Sequence, residues 1–327
     1  EKMASIKDVA RLAKVSVGSV SKYLNGGKLK EKTTIAIEEA IKELKYEKNI
    51  YATGLRTNRT HTIALMIPTI WNPFFSELAF YIETELRNYQ TKLVLCNTIN
   101  NYENEIAYIS MARQNKIDGL ITLSYSNVDA YISNEIPVVS IDRYFSEKIP
   151  TIMSDNFAGG KLAAEKLQQA GSNKLAFIGY GSIYENSTRD RYRGFQDYCQ
   201  SNKLDWEKFY YEGHHQEFRE QLPLFIQEQI VNKGIDGIFV VTDEQAMEVI
   251  ALLHQNGKRV PEDIQVIGFD GSKQSNNTPI YLSSIRQSVP AIATETVHCL
   301  FNIIEKKEVP LKTILPITYQ SGTTTKD

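Results

Sequence analysis

Short apolar runs alternate with longer amphipathic stretches along most of the chain. The runs form two series, the first near residues 63–67, 93–95, 119–123 and 138–141 and the second near residues 175–179, 237–241 and 265–269. Each run is long enough for a buried strand, and the segments between the runs are long enough for helices. The alternation predicts βαβ units with parallel sheets, and the two series predict two similar α/β lobes.

The first sixty residues have a different pattern, in which apolar residues recur at the three- and four-residue spacing of short helices. Ser5 stands three residues before Asp8, which is the spacing of a capping box at a helix start. After a three-residue turn, Ser16 can cap a second helix over Val17–Leu24, and an apolar stripe over Lys32–Leu44 predicts a third helix. Two short helices joined by so tight a turn predict a helix-turn-helix domain.

Charge divides the chain at the same place. Residues 1–60 hold 13 Lys and Arg against 7 Asp and Glu, whereas the remainder holds 24 against 32. The net charge of −2 for the whole chain therefore hides a basic head and an acidic body. Because duplex DNA is a dense line of negative charge, the head is predicted to dock on DNA while the body stays clear of the phosphates.

Composition and cysteine spacing exclude several classes of protein. With 327 residues, of which 42% are hydrophobic and 23% charged, the chain is predicted to form two or three globular domains. The apolar run at 63–67 is too short to cross a bilayer or to act as a secretion signal, so we expect a cytoplasmic location and no membrane association. Cys96, Cys199 and Cys299 are far apart, lack metal-ligand spacing, and are predicted to be buried.

No pattern typical of a catalytic or cofactor site stands in the sequence. Gly179 and Gly181 follow an apolar run, but Tyr184 occupies the position of the third glycine of a dinucleotide-binding loop. His214 and His215 are adjacent and point in different directions on any regular element, which suits neither a metal nor a nucleophile. We therefore expect no catalytic residue, no metal and no cofactor.

The segment SIKDVARLAKVSVGSVSKYLNG, residues 5–26, resembles the opening signature of the lactose and galactose repressor (LacI/GalR) family. Six further words match that family in order along the chain: NPFF at 72–75, IDR at 141–143, SDN at 154–156, RYRGF at 191–195, VPEDIQVIGFD at 260–270 and SSIRQS at 283–288. The resemblance covers nearly the whole chain. It implies a helix-turn-helix DNA-binding domain followed by a two-lobed core like that of a periplasmic binding protein, built of parallel doubly wound sheets.

The resemblance also implies where the chain divides. Residues 4–60 would form the DNA-binding domain, with a hinge helix at about 49–57, and residues 61–327 would form the effector-binding and dimerisation domain. Subdomain 1 would take residues 61–157 and 288–317, and subdomain 2 would take residues 158–287 and 318–327. The chain would cross between them three times, near Asn156–Gly159, near Ser288 and near Leu315–Thr318.

On the family pattern, the second helix enters the major groove and its first turn faces the base edges. Val17 can touch a thymine methyl group, Lys22 can donate to guanine or to phosphate, and Gly18 offers no side chain for readout. Lys14 replaces the glycine that is usual in the turn, so a lysine would take a left-handed conformation there. The residues that the resemblance places on DNA are Ser5, Ser16, Val17, Gly18, Ser19, Ser21, Lys22, Asn25, Leu55, Arg56 and Arg59.

The segment YEKNIYATGLRTNRT, residues 46–60, resembles the hinge from which paired helices of two subunits enter the minor groove. Leu55 holds the position of the leucine that wedges open the central base step, and Arg56 and Arg59 would lie against the flanking phosphates. Gly54, together with Lys48 in place of the usual proline, weakens helix formation, so the segment is predicted to fold only on DNA. From the residues alone, an ordinary polar linker stays open as the alternative.

In the family, the cleft between the lobes holds the effector. A sugar needs an aromatic face and planar charged partners for its hydroxyls, and Phe74, Arg191 and Asp270 suit those needs. Each also has an ordinary interpretation: a core aromatic, a surface ion pair and a helix cap, respectively. The full set implied at the effector is Asn72, Phe74, Phe75, Asn156, Ser187, Arg191, Thr242, Asp243 and Asp270.

Together, these expectations describe a sugar-responsive repressor of a carbohydrate-utilisation operon. A homodimer would bind double-stranded operator DNA, and a small-molecule effector, a sugar, would control its affinity through the cleft. Induction, in which sugar releases DNA, is favoured over co-repression. Three alternatives stay open: a global catabolite regulator with a phosphorylated carrier protein as co-repressor, a purine-type co-repressed regulator, and a sugar-binding module with a vestigial head.

Overall fold

The computed structural model describes residues 4–24, 26–46, 59–132, 136–143, 148–182, 184, 186, 188–213, 215–272 and 279–326. The chain divides into two compact units, Glu1–Thr60 and His61–Asp327. Each unit has a hydrophobic core of its own, which is what an independent domain requires.

The described residues of the first unit contain three short helices: α1 (Ile6–Leu12), α2 (Val17–Leu24) and α3 (Glu31–Glu43). The capping box predicted at the start of α1 is confirmed, because Ser5 Oγ accepts from the Asp8 amide at 3.3 Å while the Asp8 carboxylate accepts from the Ser5 amide at 2.9 Å. Lys14 takes the left-handed conformation predicted for the turn, with φ at 54°. All three helices contribute to a small core of Val9, Ala10, Val20, Ile37 and Ala40.

Two six-stranded sheets, each in a lobe of its own, form the second unit. Lobe 1 contains β1 (Thr62–Ile67), β2 (Lys92–Asn97), β3 (Gly119–Thr122), β4 (Val138–Ile141), β5 (Thr151–Ser154) and β11 (Lys312–Leu315). Lobe 2 contains β6 (Lys174–Gly181), β7 (Asp205–Glu212), β8 (Gly237–Val240), β9 (Gln265–Asp270), β10 (Ser283–Gln287) and β12 (Ile317–Gln320). The strand orders are β11-β5-β4-β3-β1-β2 and β12-β10-β9-β8-β6-β7, so each sheet is doubly wound.

The paired strands run parallel, as predicted, apart from β12, which is antiparallel to β10. The reason lies in how the chain reaches β12. It leaves lobe 1 at the carboxyl end of β11 and continues into lobe 2 through Pro316 alone. Because the carboxyl ends of both sheets face one cleft, a strand entering lobe 2 from the cleft must run away from it, opposite to the other strands.

Helices cover both faces of each sheet, as parallel sheets require. The helices of the second unit are α4 (Pro73–Asn88), α5 (Tyr102–Gln114), α6 (Asn156–Gln169), α7 (Thr188–Ser201), α8 (His215–Phe225), α9 (Asp243–Gln255) and α10 (Val289–Ile304). The described residues also contain a 3₁₀ turn (Asp129–Tyr131) and a π-helix (Ile226–Val231). In lobe 1, α4 and α10 pack on one face and α5 on the other; in lobe 2, α6 and α7 lie opposite α8 and α9.

The chain passes between the lobes three times, at Asp155, Ser288 and Pro316, each of which separates consecutive elements of different lobes. Ser154 Oγ donates to Gln287 Oε1 at 2.7 Å, so a hydrogen bond ties the first two crossings together. The crossings hold the carboxyl ends of both sheets against a shared cleft. Among the described helices, none combines the length and the apolar character that a membrane crossing requires.

Candidate functional site

A cavity of about 610 Å³ lies in the cleft between the two lobes. Lobe 1 contributes the lining residues Pro68, Thr69, Asn72, Phe75, Asn100, Tyr102, Glu105, Tyr125, Ser126 and Asn127. Lobe 2 contributes Tyr180, Gly181, Ser182, Tyr184, Thr188, Gly213, Val241, Thr242, Glu244 and Gln245. These residues follow the carboxyl ends of parallel strands or begin the helices after them, which is where ligands bind in doubly wound sheets.

Hydrogen bonds from one lobe to the other close this cavity. Asn72 Nδ2 of lobe 1 donates to Glu244 Oε2 of lobe 2 at 2.9 Å. Ser182 Oγ of lobe 2 donates to the Tyr125 carbonyl of lobe 1 at 2.8 Å. Both bonds join residues that line the cavity, so the two walls are held together at the site itself.

Arg143 adds a further contact across the cleft. It forms an isolated antiparallel bridge with Asn186 of lobe 2, and its guanidinium lies 5.5 Å from the centre of the Tyr184 ring. Outside the cavity, Arg286 of β10 forms a two-pronged ion pair with Glu77 of α4, and both side chains are largely buried. The cleft is therefore closed over the cavity in this structure.

Asn72 shows how local sequence places a side chain in the site. It caps α4, because its Oδ1 accepts from the Phe74 amide at 2.9 Å while Pro73 fixes the first helical position. The cap leaves the side-chain Nδ2 free to reach Glu244 across the cleft. Phe75 lines the cavity, whereas Phe74 packs in the core of lobe 1.

Glu105 is a carboxylate built into the cavity wall. Its residue is only 2% exposed, and its carboxylate accepts from Ser124 Oγ and from Ser126 Oγ, the latter at 3.0 Å. Burial raises the pKa of Glu105, although the two serine hydroxyls and nearby Arg143 oppose that effect. The hydroxyls hold the side chain in one orientation, which is a requirement for selective binding.

Arg191 and Asp270 lie directly behind the lobe 2 wall. Arg191 Nη1 donates at 2.7 Å to the carbonyl of Val241, which lines the cavity, and Nε donates at 2.7 Å to Asn156 Oδ1. The guanidinium also lies 3.6 Å from Asp270 Oδ1 and the same distance from the centre of the Phe269 ring. The arginine thus fixes the wall from behind, with its donors directed to protein acceptors.

Asp270 and Asp243 carry strongly shifted pKa values in the same buried layer. Burial raises the pKa of Asp270 to about 8, opposed by Arg191, and its Oδ1 accepts from Gln287 Nε2 at 2.8 Å. Burial raises the pKa of Asp243 to about 7, although Ser284 Oγ donates to it at 2.6 Å. The positive charge of Arg191 lowers the pKa of both carboxyl groups and so opposes the effect of burial on each.

The predicted effector residues therefore fall into three groups. Asn72, Phe75 and Thr242 line the cavity, and Thr242 also caps α9. The described lining does not include Phe74, Asn156, Arg191, Asp243 or Asp270. All of these but Phe74 form the buried layer directly behind the lobe 2 wall of the cavity. Ser187 lies outside the described residues.

Sequence reasoning missed most of the polar and aromatic lining. The missed side chains include Tyr102, Glu105, Tyr125, Tyr180, Ser182, Tyr184 and Glu244. A usable signal was present, because the segments after β1, β3, β6 and β8 all reach the cleft. Inspecting every strand end, rather than family positions alone, would have found Tyr125 and Ser182.

The first turn of α2 presents a small polar surface to solvent. Ser16 Oγ accepts from the Ser19 amide at 3.1 Å and caps the helix, as predicted. Val17 is 42% exposed, and Gly18 and Lys22 are exposed, whereas Val20 is buried in the core. Val17, Gly18 and Lys22, which the family resemblance assigns to DNA, are therefore accessible to solvent, and their contact with DNA stays a prediction.

The remaining predicted DNA contacts divide between described and undescribed residues. Ser5 is exposed, and Ser19, Ser21 and Arg59 are half-buried. Asn25, Leu55, Arg56 and the hinge helix at about 49–57 lie outside the described residues.

In the described parts of the chain, potential metal ligands are not clustered and the cysteines are buried. No group of three or more His, Cys, Asp and Glu side chains there is arranged to hold a metal ion. The three cysteines are buried, as predicted, and burial raises the pKa of Cys96 and Cys299 to about 11 and that of Cys199 to about 12.

Comparison with known proteins agrees with this architecture. Residues 5–49 match the family model for bacterial regulatory proteins of the lacI family, and residues 164–325 match that of a periplasmic binding protein-like domain. The ribose operon repressor of Halalkalibacterium halodurans is 34% identical over 329 residues, which cover 98% of each chain. The chain belongs to the LacI family. As a member of this family of regulatory proteins, it is a transcriptional regulator and not an enzyme.

Other LacI family proteins extend the likeness. The sucrose operon repressor of Streptococcus mutans is 32% identical over 322 residues, 98% of this chain and 99% of the other. A protein of Alkaliphilus metalliredigens described as a periplasmic binding protein/LacI transcriptional regulator, solved in complex with D-xylulofuranose, is 30% identical over 82% of this chain and all of its own, with a TM-score of 0.71. The lac repressor dimer bound to operator shares the fold at 22% identity, with a TM-score of 0.84 over the whole of both chains.

Proposed function

We propose that this LacI family protein is a repressor of a carbohydrate-utilisation operon. The repressor would bind operator DNA, and a sugar would weaken that binding. The observation that carries the proposal is the cavity, whose walls come from two lobes and are joined by hydrogen bonds at the site. A ligand that contacts both walls binds the closed arrangement better than an open one. Only such a difference in affinity lets a ligand shift a conformational equilibrium.

The lining of the cavity suits a sugar. Aromatic rings can cover the apolar face of a sugar ring, while Asn, Ser, Thr and Glu side chains can exchange hydrogen bonds with its hydroxyls. Close relatives are named as ribose and sucrose operon repressors, which supports a carbohydrate effector and a repressing role. We favour induction by the sugar over co-repression for the same reason.

On the DNA side, we assign sequence readout to the first turn of α2. Val17 in that turn and Lys22 in the last turn of α2 are exposed and would meet base edges, while the serine hydroxyls Ser5, Ser16, Ser19 and Ser21 would donate to phosphates. Asn25, Leu55, Arg56 and Arg59 complete the proposed contacts with the operator. Because operator DNA is its partner, the protein would work in the cytoplasm.

We further propose that the protein acts as a homodimer through lobe 1. Large apolar side chains are exposed on this lobe: Trp71, Phe80, Leu95 and Ile99, at 90%, 64%, 44% and 68%. Phe80 lies on α4 and Leu95 on the edge strand β2, so a second copy could cover both. A two-fold dimer matches a near-palindromic operator.

The test is DNA binding by the full-length protein, measured as fluorescence anisotropy of a labelled duplex from the region upstream of its gene. We expect tight binding that weakens steeply with salt, and further weakening when the right sugar is added. A fragment of scrambled sequence provides the control. A strictly monomeric protein that ignores every promoter duplex would contradict the proposal, whereas tighter binding with hypoxanthine would favour the purine-type alternative.

A further inference from the structure

We infer that the effector is an uncharged sugar of at least two rings, and that Glu105 and Glu244 make the cavity select against phosphorylated and other anionic sugars. This inference rests on the proposed function, since it specifies the ligand of the same cavity. It is carried by the size of the cavity, by the distribution of its aromatic rings, and by the signs of the charges in and behind its walls.

The size of the cavity favours a ligand of two or more rings. At about 610 Å³ the cavity has room for about twenty water molecules at the volume that water takes in the liquid. A single pentose would leave most of that space to water. A ligand of two or more rings would contact both lobes, which is the condition for closing the cleft.

The aromatic lining agrees with more than one ring. Lobe 1 contributes Phe75, Tyr102 and Tyr125, and lobe 2 contributes Tyr180 and Tyr184. Aromatic side chains thus line both sides of the cavity. Burial raises the pKa of both Tyr125 and Tyr180, so their hydroxyls stay protonated and able to donate to sugar oxygens.

The charges of the cavity lining oppose an anionic ligand. Each wall carries one carboxylate, Glu105 in lobe 1 and Glu244 in lobe 2, and the described lining contains no Lys or Arg. Two serine hydroxyls hold the Glu105 carboxylate, and Asn72 holds the Glu244 carboxylate. Either side chain could move away from a ligand only by breaking these hydrogen bonds. A phosphate entering between them would meet negative charge on both sides, and such juxtaposition strongly opposes binding.

Arg143, whose charge acts on Glu105, and Arg191 are both engaged by other groups of the protein. Arg143 and Arg191 are only 3% and 2% exposed. Arg143 donates to the Ser126 carbonyl and pairs with Asp129 at 3.2 Å. Arg191 is held behind the wall by Val241 and its other acceptors. An anion could recruit either arginine only by breaking contacts inside the protein.

Helix starts, which often bind phosphate, are likewise occupied here. In the described chain, α4, α5, α7 and α9 begin at the cavity. The side-chain oxygens of Asn72, Asn101, Asn186 and Thr242 accept hydrogen bonds from amides in their first turns. At α9, Asp243 and Glu244 add negative charge to the first turn. At these helix starts the cavity therefore presents side-chain oxygens, which accept hydrogen bonds, where an anion site would present amide donors.

The experiment is a thermal-shift and calorimetric screen of the full-length protein with sugars of defined size and charge. The probes are ribose, glucose and fructose; sucrose, maltose, cellobiose, lactose and raffinose; and ribose 5-phosphate, glucose 6-phosphate and sucrose 6-phosphate. We expect the largest rise in melting temperature from a neutral sugar of two or three rings. We expect sucrose 6-phosphate to bind roughly 100-fold more weakly than sucrose.

Variants at the two carboxylates test the charge argument directly. Glu244→Gln keeps an oxygen that can accept from Asn72, and Glu105→Gln keeps hydrogen bonding with both serines, so each changes charge with little change of shape. Each should narrow the gap between sucrose and sucrose 6-phosphate by about tenfold. Glu248→Gln on α9 and Glu103→Gln on α5, outside the described lining, are the matched controls and should leave the gap unchanged.

The outcomes separate this inference from the proposed function. If a monosaccharide or a phosphorylated sugar binds best and releases the operator, the inference is wrong and the repressor proposal stands. If the glutamine variants leave the discrimination as it was, the assigned role of the carboxylates is wrong. If no sugar changes either the melting temperature or operator binding, the sugar-responsive proposal fails and the inference fails with it.

Discussion

At the scale of single residues, the Arg191 and Asp270 pair shows how burial changes the chemistry of ordinary groups. Asp270 has φ of 115°, and Gly271 follows with φ of 63°, so the chain turns sharply at the end of β9. This turn places the Asp270 carboxylate against Gln287 and Arg191 instead of solvent. The strained backbone is held by the surrounding layer, as strained residues beside a binding site usually are.

The raised pKa of Asp270 predicts a pH dependence of stability. In the unfolded chain the group titrates near its ordinary value of about 4, but in the folded protein it titrates at about 8, so folding favours the protonated form. Its contribution is fully present below pH about 4 and is lost as pH rises towards 8. Asp270→Asn should therefore flatten the decline in the free energy of unfolding between pH 5 and pH 8, which a pKa rise of this size sets at about 1.4 kcal/mol per pH unit.

Chemical unfolding at several pH values, without sugar, measures that effect. Asp205→Asn, at an exposed end of β7, serves as the control and should keep the slope of the unmodified protein. Parallel slopes for Asp270→Asn and the unmodified protein would show that the carboxyl is not protonated on folding.

Gly18 permits a second prediction at this scale. It lies inside α2, its φ is not left-handed, and a Cβ atom there would come no closer than 3.6 Å to another group, Ser16 Oγ. Because glycine costs helices about 0.5–1 kcal/mol relative to alanine, Gly18→Ala should stabilise α2 and slow amide hydrogen exchange in it several-fold. Gly26→Ala is the matched control, since Gly26 has φ of 74° and alanine there should be destabilising. Faster exchange in Gly18→Ala would contradict the helix geometry.

At the scale of elements, α6 and α7 pack so closely that their backbones touch. A Cβ atom on Gly160 would overlap the Arg191 carbonyl, and one on Gly194 would overlap the Phe157 carbonyl. The two glycines therefore let each helix lie against the backbone of the other. This packing positions Arg191, which lies on α7, behind the cavity wall.

Gly194→Ala should force these helices apart and destabilise lobe 2 by about 1–3 kcal/mol or more. Trp206 packs against Phe195 of α7, so tryptophan fluorescence during urea unfolding reports on this region. Ser201→Ala, at the exposed end of the same helix, should change the free energy of unfolding by no more than about 0.5 kcal/mol. An unchanged midpoint for Gly194→Ala would mean that the helices are not in backbone contact.

The strands show where prediction from the sequence succeeded and where it failed. All seven apolar runs became strands, each within a few residues of the expected position. The strands β5, β7, β10, β11 and β12 were not predicted. Among them, β7 and β11 are edge strands with exposed positions, and β10 consists largely of polar residues. Apolar runs mark strands that are rich in apolar residues, including the edge strand β2, whereas strands with many polar residues, such as β7 and β10, escape the pattern.

At the scale of the whole second unit, ligand response depends on contacts between lobes. Ser182 and Tyr125 join the lobes at the cavity, as do Asn72 and Glu244. Opening of the cleft would break both bonds. A ligand that keeps the cleft closed therefore gains affinity from every such bond that is already in place.

Ser182→Ala should weaken binding of whichever screened sugar raises the melting temperature most, by about 2- to 10-fold. The bond to the Tyr125 carbonyl would be lost, and a hydrogen bond of this kind is worth about 0.5–1.5 kcal/mol. Isothermal calorimetry gives the affinity, and Ser182→Thr, which retains a hydroxyl, should restore most of it. Unaltered or tighter binding by Ser182→Ala would show that this bond does not contribute to closure.

The sequence by itself determined the features that depend on near neighbours along the chain. Spacing fixed the capping box at Ser5, the Lys14 turn and the central strands, and the count of charges separated a basic head from an acidic body. Only the tertiary structure decided which side chains share the cavity. Glu105 and Glu244 are separated by well over one hundred residues in the sequence. They line one cavity because the chain crosses three times between two sheets whose carboxyl ends face one cleft. Hydrophobic periodicity records which face of an element is buried, but it carries no information on which distant element will cover that face.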